Sequence, residues 1–374
     1  MRSRRHGCRV AVFQAVLPHY RVPLFNELAA SHAGIFEVFT EAPSSKSAII
    51  DGTSSLDPTV LRKARTYRLG PISVAPRALA ELVFGQPDLV ILPWNVRQLE
   101  LLPCLLVARV RRIPIVLWGH GVGRSRSRLA MSLRSLQVRL CAHVVLYSVA
   151  GEREVRKLGE ETPTTVVPNT TGRPTPNSSD LLQIPTRTIG YIGRLDARKH
   201  LERLLEAVAM LRLEGLELGV KIVGDGPEQS NLRSQADKLG LGKALQMVVG
   251  SPSWATTLAH LSQVDLVVFP EAGGLGVVDA FAAARAAIVL DSRAHNGPEA
   301  DHVKHGITGF RYEVPTSRSL ADSLMSAYQR PETLSGLSRN AAAYYRAHLA
   351  MDRATHEFHS VIMTAIASSE TDSS

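Results

Sequence analysis

The feature that most constrains this chain is an alternation of short apolar runs with helical patterns, played through twice. In the first half, the runs at 9–13, 36–40, 89–92, 115–118 and 144–147 read as buried strands. Helical patterns lie between them at 23–30, 78–84, 99–110 and 128–141. The rhythm restarts at 188–192, with strands expected at 220–223, 245–249, 265–269 and 287–290. The matching helices are expected at 201–213, 228–239, 254–261 and 275–284. Leu201, Leu204, Leu205 and Val208 share one face at the 3.6-residue period. Unbroken apolar runs suit strands buried on both faces, and strand–helix–strand repetition makes such strands parallel. The fold class that follows is α/β, with two Rossmann-like doubly wound parallel-sheet domains facing a cleft. Ligands of these sheets bind at the carboxyl ends of strands, at the switch point, so chemistry is expected in the loops that follow strands.

With 374 residues, 45% of them hydrophobic, the chain is long enough for two cores. Polar, turn-forming residues from Asn169 to Ser179 separate the halves. The expected division is a first domain at 1–170, a linker at 171–187 and a second domain at 188–350. A closing helix follows at 351–367, with the first domain as a candidate surface for it, and then a disordered tail at 368–374. Cys8, Cys104 and Cys141 are scattered without a CxxC pair. That argues against a disulfide framework or a cysteine zinc site and for a reducing compartment. The basic start Met1-Arg2-Ser3-Arg4-Arg5 precedes only a short apolar run, interrupted by Gln14 and followed by no small-residue cleavage site. It reads as a first strand. No run approaches the roughly 20 apolar residues needed to span a bilayer. A cytoplasmic protein, soluble or peripheral on the inner face of the membrane, is expected.

Charge is unevenly spread. The net charge is +9, yet residues 1–150 hold 20 Lys and Arg against 8 Asp and Glu, a net of +12. Eight arginines and no acid lie between Arg109 and Arg139. Two readings stay open: an ordinary solvated helix surface, or a surface for anionic lipid head groups or a pyrophosphate-bearing acceptor. Nucleic acid is disfavoured, because no aromatic residues interleave with these arginines.

Five segments carry candidate chemistry. Gly193-Arg194-Leu195-Asp196-Ala197-Arg198-Lys199 follows a strand and precedes a helix. Gly193 allows a tight turn, Arg194 offers a bidentate fork and Lys199 a point charge, a pairing suited to a diphosphate. An exposed basic loop is the plain alternative. Pro270-Glu271-Ala272-Gly273-Gly274-Leu275, running to Asp279, follows another apolar strand. Its glycines free backbone N–H groups at a helix N-terminus, a ready anion site. Glu271 before the turn, and Asp279 two turns into the helix, can accept hydrogen bonds from vicinal hydroxyls. Gly224-Asp225-Gly226-Pro227 is a tight strand-to-helix turn. Gln229 stands where a dinucleotide fingerprint needs its third glycine, which disfavours a dehydrogenase. His120, between Gly119 and Gly121, is set at a strand end, as a cleft residue or a satisfied loop histidine. Finally, Arg21 is placed to meet a phosphate and His19 or Tyr20 an acceptor hydroxyl, unless all three are ordinary loop residues.

Taken together, these segments resemble glycosyltransferase family 4 and its GT-B relatives. The likeness is strongest from Val166 to Glu313, including Gly297-Pro298-Glu299 and His305-Gly306-Ile307-Thr308-Gly309-Phe310. The resemblance implies that Arg194 and Lys199 bind the donor diphosphate, Glu271 the transferred sugar and Asp279 the nucleotide ribose. It sets His120 beside the donor sugar, with Gly193, Gly224, Gly226, Gly273, Gly274 and Leu275 completing the donor site. His19, Tyr20 and Arg21 fall on the acceptor side. It further implies a retaining transfer from a nucleotide diphosphate sugar to a lipid-linked or polysaccharide acceptor, with no metal and no other cofactor. Two departures stand out. Asp279 replaces the usual Glu and is one methylene shorter. The first loop, Gln14 to Arg21, lacks the family's frequent glycine pair, a variant associated with surface polysaccharide and glycolipid assembly. A GT-B sugar-nucleotide epimerase and a non-catalytic sugar-nucleotide-binding module are the competing readings.

Overall fold

The computed structural model describes residues 7–41, 51–70, 72–95, 97–122, 127–176, 186–249, 253–329 and 331–371. The chain forms two compact units, one of Met1–Gly172 with Met351–Ser374, the other of Arg173–Ala350.

In the first unit the strands are β1 (Arg9–Gln14), β2 (Ile35–Thr40), β3 (Leu61–Lys63), β4 (Tyr67–Leu69), β5 (Ile72–Val74), β6 (Leu89–Pro93), β7 (Ile115–Gly119), β8 (His143–Leu146) and β9 (Thr164–Val166). The helices are α1 (Val22–Ser31), α2 (Pro76–Phe84), α3 (Leu101–Arg111), α4 (Arg128–Leu140) and α5 (Val149–Arg156). Seven strands form a parallel sheet in the order β3-β2-β1-β6-β7-β8-β9, and β4 pairs antiparallel with β5. The order reverses direction between β1 and β6. Apolar side chains cover both faces, as unbroken strand runs demand. Phe25, Leu28, Trp118 and Phe358 fill one side and Phe13, Phe39, Leu82, Leu105 and Val138 the other.

The last helix of the chain, α12 in sequence order (Met351–Thr371), belongs to this unit. Phe358 meets Trp118 edge to face at 4.7 Å, and the Thr355 hydroxyl donates to Glu27 at 2.9 Å. The helix runs to Thr371, so residues 368–371 are ordered helix where a disordered tail was expected. Ile362, Ala365 and Ile366 hold its last turns on the apolar core, which the polar composition of the tail conceals. Residues 372–374 lie outside the described residues.

In the second unit the strands are β10 (Thr188–Ile192), β11 (Gly219–Gly224), β12 (Leu245–Val249), β13 (Leu266–Phe269), β14 (Ala286–Leu290) and β15 (Gly309–Tyr312). The helices are α6 (Leu201–Leu213), α7 (Gln229–Lys238), α8 (Trp254–Leu261), α9 (Leu275–Ala282), α10 (Ser317–Tyr328) and α11 (Pro331–Tyr344). The parallel sheet runs β12-β11-β10-β13-β14-β15 and reverses direction between β10 and β13. Of the expected linker, residues 173–176 are tied to this unit. Trp254 donates to Pro174 O at 3.2 Å and Tyr345 to Arg173 O at 2.6 Å, while 177–185 lie outside the described residues.

Candidate functional site

The switch point of the second sheet brings the segments after β10 and β13 together. After β10 the chain turns at Gly193, whose φ is +144°. Residues 193–195 then run beside the turn that follows β11. Gly193 N donates to Val223 O at 3.1 Å, Leu195 N to Asp225 O at 2.7 Å and Glu228 N to Leu195 O at 3.1 Å. This contact explains Gly224 and Gly226. A Cβ on Gly224 would stand 1.9 Å from Gly193 O, and one on Gly226 2.1 Å from Leu195 O. The Gly224-Asp225-Gly226 turn is thus the seat of the Arg194 segment. Asp196 caps the short helical turn that follows by accepting from Arg198 N, and the Tyr191 hydroxyl donates to Arg194 O at 2.9 Å. Arg194 extends outward, exposed, 3.9 Å from Asp196. Lys199 turns inward, half-buried, and its ammonium donates to Ala272 O at 2.7 Å. Burial pushes the Lys199 pKa down, partly offset by Asp196 and Glu299.

After β13, Ala272 adopts φ +50°. Ala272 N donates to His295 O at 3.0 Å, and Gly273 N donates to Asn296 Oδ1 at 2.8 Å. The Gly273 N–H, expected to be free for an anion, is therefore already engaged. Gly274 caps α9, Leu275 opens it, and a Cβ on Gly276 would come within 2.8 Å of Ile192 O. Helix α9 is packed against the end of β10 that closely.

Glu271 is the centre of this cluster. Its buried carboxylate accepts from Arg203 Nη1 at 2.6 Å and from His295 Nδ1, with His200 Nε2 at 3.4 Å. Burial alone would raise its pKa. The hydrogen bonds from His295 and Arg203, with the charges of His200 and Arg203, outweigh that and hold it below the usual carboxylate range. The carboxylate is thus ionised and fixed in orientation. Asp279 lies just over one turn into α9 rather than two, since the helix starts only at Leu275. Arg173 Nε is 3.7 Å from its carboxylate, and the Arg173 guanidinium lies 5.4 Å from the centre of the Trp254 ring.

The first unit gathers its own group at the carboxyl ends of β1, β7 and β8. Arg21 lies 4.3 Å over Trp118, with Nη1 donating to Gln14 Oε1 at 2.5 Å and Nη2 to the Tyr147 hydroxyl. His120 packs edge-on against Tyr147 at 4.6 Å. Although His120 opens to solvent, the protein around it strips water from its ring, and this, with the Arg21 charge, lowers its pKa. His19 and Tyr20 precede Arg21 in a short turn, their rings 5.9 Å apart.

Residues 181–344 match the family model of the glycosyl transferases, group 1. That stretch is less than half of the chain. Among curated proteins, a putative glycosyltransferase, EpsD, of Bacillus subtilis (strain 168) is 27% identical over 143 residues, 38% of this chain and 36% of that protein. An alpha-D-kanosaminyltransferase of Streptomyces kanamyceticus is 26% identical over 155 residues, 41% of this chain and 39% of that protein. The alignments therefore span little more than a third of each relative. Solved structures match over nearly the whole chain. HepE of Anabaena, crystallised with UDP, has a TM-score of 0.68 at 17% identity, covering 96% of this chain and 100% of that one. The sucrose-phosphate synthase of Thermosynechococcus elongatus gives 0.67 at 16% identity, covering 96% and 100%. A glycosyltransferase of Rickettsia africae gives 0.69 at 11%, covering 96% and 99%. The chain has the GT-B fold.

Sequence reasoning missed Arg203, His295 and Asn296 in the group 1 segment and Tyr147 in the first unit, and it gave no role of their own to His200, Gln14 and Trp118, which lie in segments it singled out. His200 and Arg203 carried a signal: both stand where a helix opens directly after Lys199. His295 and Asn296 gave little, because only the return of the chain after β14 brings them to Glu271.

Proposed function

We propose that the chain is a retaining, metal-independent glycosyltransferase. It moves a sugar from a nucleotide diphosphate sugar to a lipid-linked or polysaccharide acceptor, working on the inner face of the cell membrane. One observation carries the reading: at the switch point of the second sheet, the ionised Glu271 carboxylate is pinned beside Lys199, with Arg194 open above the same loop. Glu271 is held to accept hydrogen bonds from sugar hydroxyls. Lys199 and Arg194 answer the charge that grows on the departing diphosphate, and such preorganised electrostatics supply the largest share of many rate enhancements. Asp279, steadied by Arg173, takes the ribose hydroxyls. In the transfer, a bond forms between the acceptor oxygen and the anomeric carbon as the bond from that carbon to the diphosphate oxygen breaks. The acceptor proton passes to the leaving diphosphate. No metal ion enters the scheme. UDP, present in the HepE crystals, is the first nucleotide to try.

The test is a thermal-shift screen against UDP, GDP, ADP and their sugars, since a ligand at 100 times its Kd stabilises by about 2.7 kcal/mol. One nucleotide series should raise the melting temperature, and chelating divalent ions should leave turnover unchanged. A flat response to all three nucleotides sinks the donor assignment.

A further inference from the structure

We propose that Arg173 is a ribose-binding residue of the nucleotide site, its guanidinium donating hydrogen bonds to the same hydroxyls whose hydrogens Asp279 accepts. The identity of the ligand rests on the donor reading above, in which Asp279 meets the ribose. Every residue of the arrangement lies in the second unit.

The backbone of Arg173 is fastened by the Tyr345 hydroxyl, which donates to Arg173 O at 2.6 Å. One residue on, Pro174 O accepts from the Trp254 indole N–H at 3.2 Å, which ties the Trp254 ring to this segment. The guanidinium lies 5.4 Å from the centre of that ring, within cation–π range. Its Nε stands 3.7 Å from the Asp279 carboxylate. A planar fork placed by a ring and a carboxylate has given up its freedom before a ligand arrives, so less is lost on binding.

The pair is close but incomplete. At 3.7 Å it is an ion pair beyond hydrogen-bond reach. Of the guanidinium nitrogens, Nε is the buried one without a partner. Among the described residues Nη1 and Nη2 meet no acceptor either, and they are open to solvent. The Arg173 side chain keeps 36% of its surface exposed and that of Asp279 17%. Opposite charges side by side select a neutral ligand. A phosphate gains from Arg173 and is repelled by Asp279, and a cation does the reverse. A vicinal diol suits both, because each hydroxyl offers a hydrogen to the carboxylate and a lone pair to the guanidinium. The open amines also extend the reach of a carboxylate one methylene shorter than glutamate.

The rival role for Arg173 is a buttress that touches no ligand, and the ribose itself tells the two apart. Whichever of UDP, GDP and ADP binds the full chain is titrated calorimetrically beside its 2′,3′-dideoxy analogue. The wild type should bind the analogue about 10-fold or more weakly, as losing hydrogen bonds to charged groups does. Arg173→Met should weaken the natural nucleotide by about 10-fold and leave the analogue within about 2-fold of its wild-type affinity. Melting without nucleotide checks the fold of the variant. Should Arg173→Met melt early, Arg173→Lys keeps the charge beside Asp279 but loses the fork, and it should narrow the ratio of the two affinities in the same direction. An equal loss for nucleotide and analogue, or an unchanged ratio in a folded variant, makes Arg173 a buttress and overturns the proposal. A wild type that binds nucleotide and analogue alike keeps the donor reading and removes the ribose contact. A wild type that binds none of the three nucleotides sinks the donor reading and this proposal with it.

Discussion

Lys199 and Arg194 share a loop but not an environment. Arg194 is exposed, while Lys199 is half-buried and spends its ammonium on Ala272 O, a neutral partner. Charge developing on a leaving diphosphate would draw that ammonium away, so its contribution is larger in the transition state than in the ground state. Lys199→Ala should therefore lower kcat/KM by about 100-fold, near 3 kcal/mol, with most of the loss in kcat. Steady-state kinetics check this, and near-wild-type turnover removes Lys199 from the mechanism. The first unit offers a matching test at Arg21. Because the protein around the ring strips water from it and the Arg21 charge adds to the effect, both lowering the His120 pKa, His120 should titrate below its ordinary value near 6.5. Arg21→Met deletes the charge and should move that midpoint upward, followed through the His120 Cε1–H chemical shift. An unmoved midpoint would mean that Arg21 does not act on His120.

Elements explain why those side chains stand where they do. Strand β10 is followed at once by Gly193 because residues 193–195 must lie against Gly224 and Gly226, both with φ above +150°. Gly224→Ala would set a methyl 1.9 Å from Gly193 O, in a backbone region that L-residues rarely adopt. It should destabilise the second unit by about 2 kcal/mol or more and abolish nucleotide binding, read by thermal denaturation with and without nucleotide. Wild-type behaviour in both would break the link between this turn and the Arg194 segment. Much of this level was legible in the sequence. The long apolar runs fell in strands and the amphipathic stretches in helices, because strands buried on both faces leave an unmistakable pattern. Strands β3, β9 and β15 were not seen: Leu61–Lys63, Thr164–Val166 and Gly309–Tyr312 are short, and β3, β9 and β15 stand at sheet edges, half-covered and without an apolar run. Helix α5 did carry a signal, Ser148 as N-cap accepting from Gly151 N at 3.1 Å, but its polar face masked the period. Arg173 beside Asp279 was invisible, since the two are far apart in the chain and nothing in either neighbourhood names the other.

At the scale of the whole molecule the open question is why the basic charge is concentrated toward the N-terminus. Helices α2, α3 and α4 cover one face of the first sheet. The only acid within them, Glu81, is buried and paired with Arg9 at 2.6 Å and Arg77 at 3.4 Å. Their exposed residues include Arg109, Arg128 and Arg139 together with large apolar side chains, Phe84 at 86% exposure and Val110 at 85%. A merely solvated face gains nothing from exposing phenylalanine, whereas a membrane interface uses both kinds of group, arginine for anionic head groups and apolar side chains for the layer beneath. Among the described residues no helix is long and apolar enough to cross a membrane, so attachment through this face would be peripheral. Each arginine near an anionic surface contributes about 1 kcal/mol, and salt screens that term but not the apolar one. Co-sedimentation with anionic vesicles should accordingly exceed that with neutral vesicles, fall as salt is raised, and drop further in Arg109→Glu/Arg128→Glu. Phe84→Ser/Val110→Ser should weaken attachment at every salt concentration. Equal binding to neutral vesicles rejects the charge contribution, and no binding to either returns this face to a solvated surface whose exposed phenylalanine needs another partner.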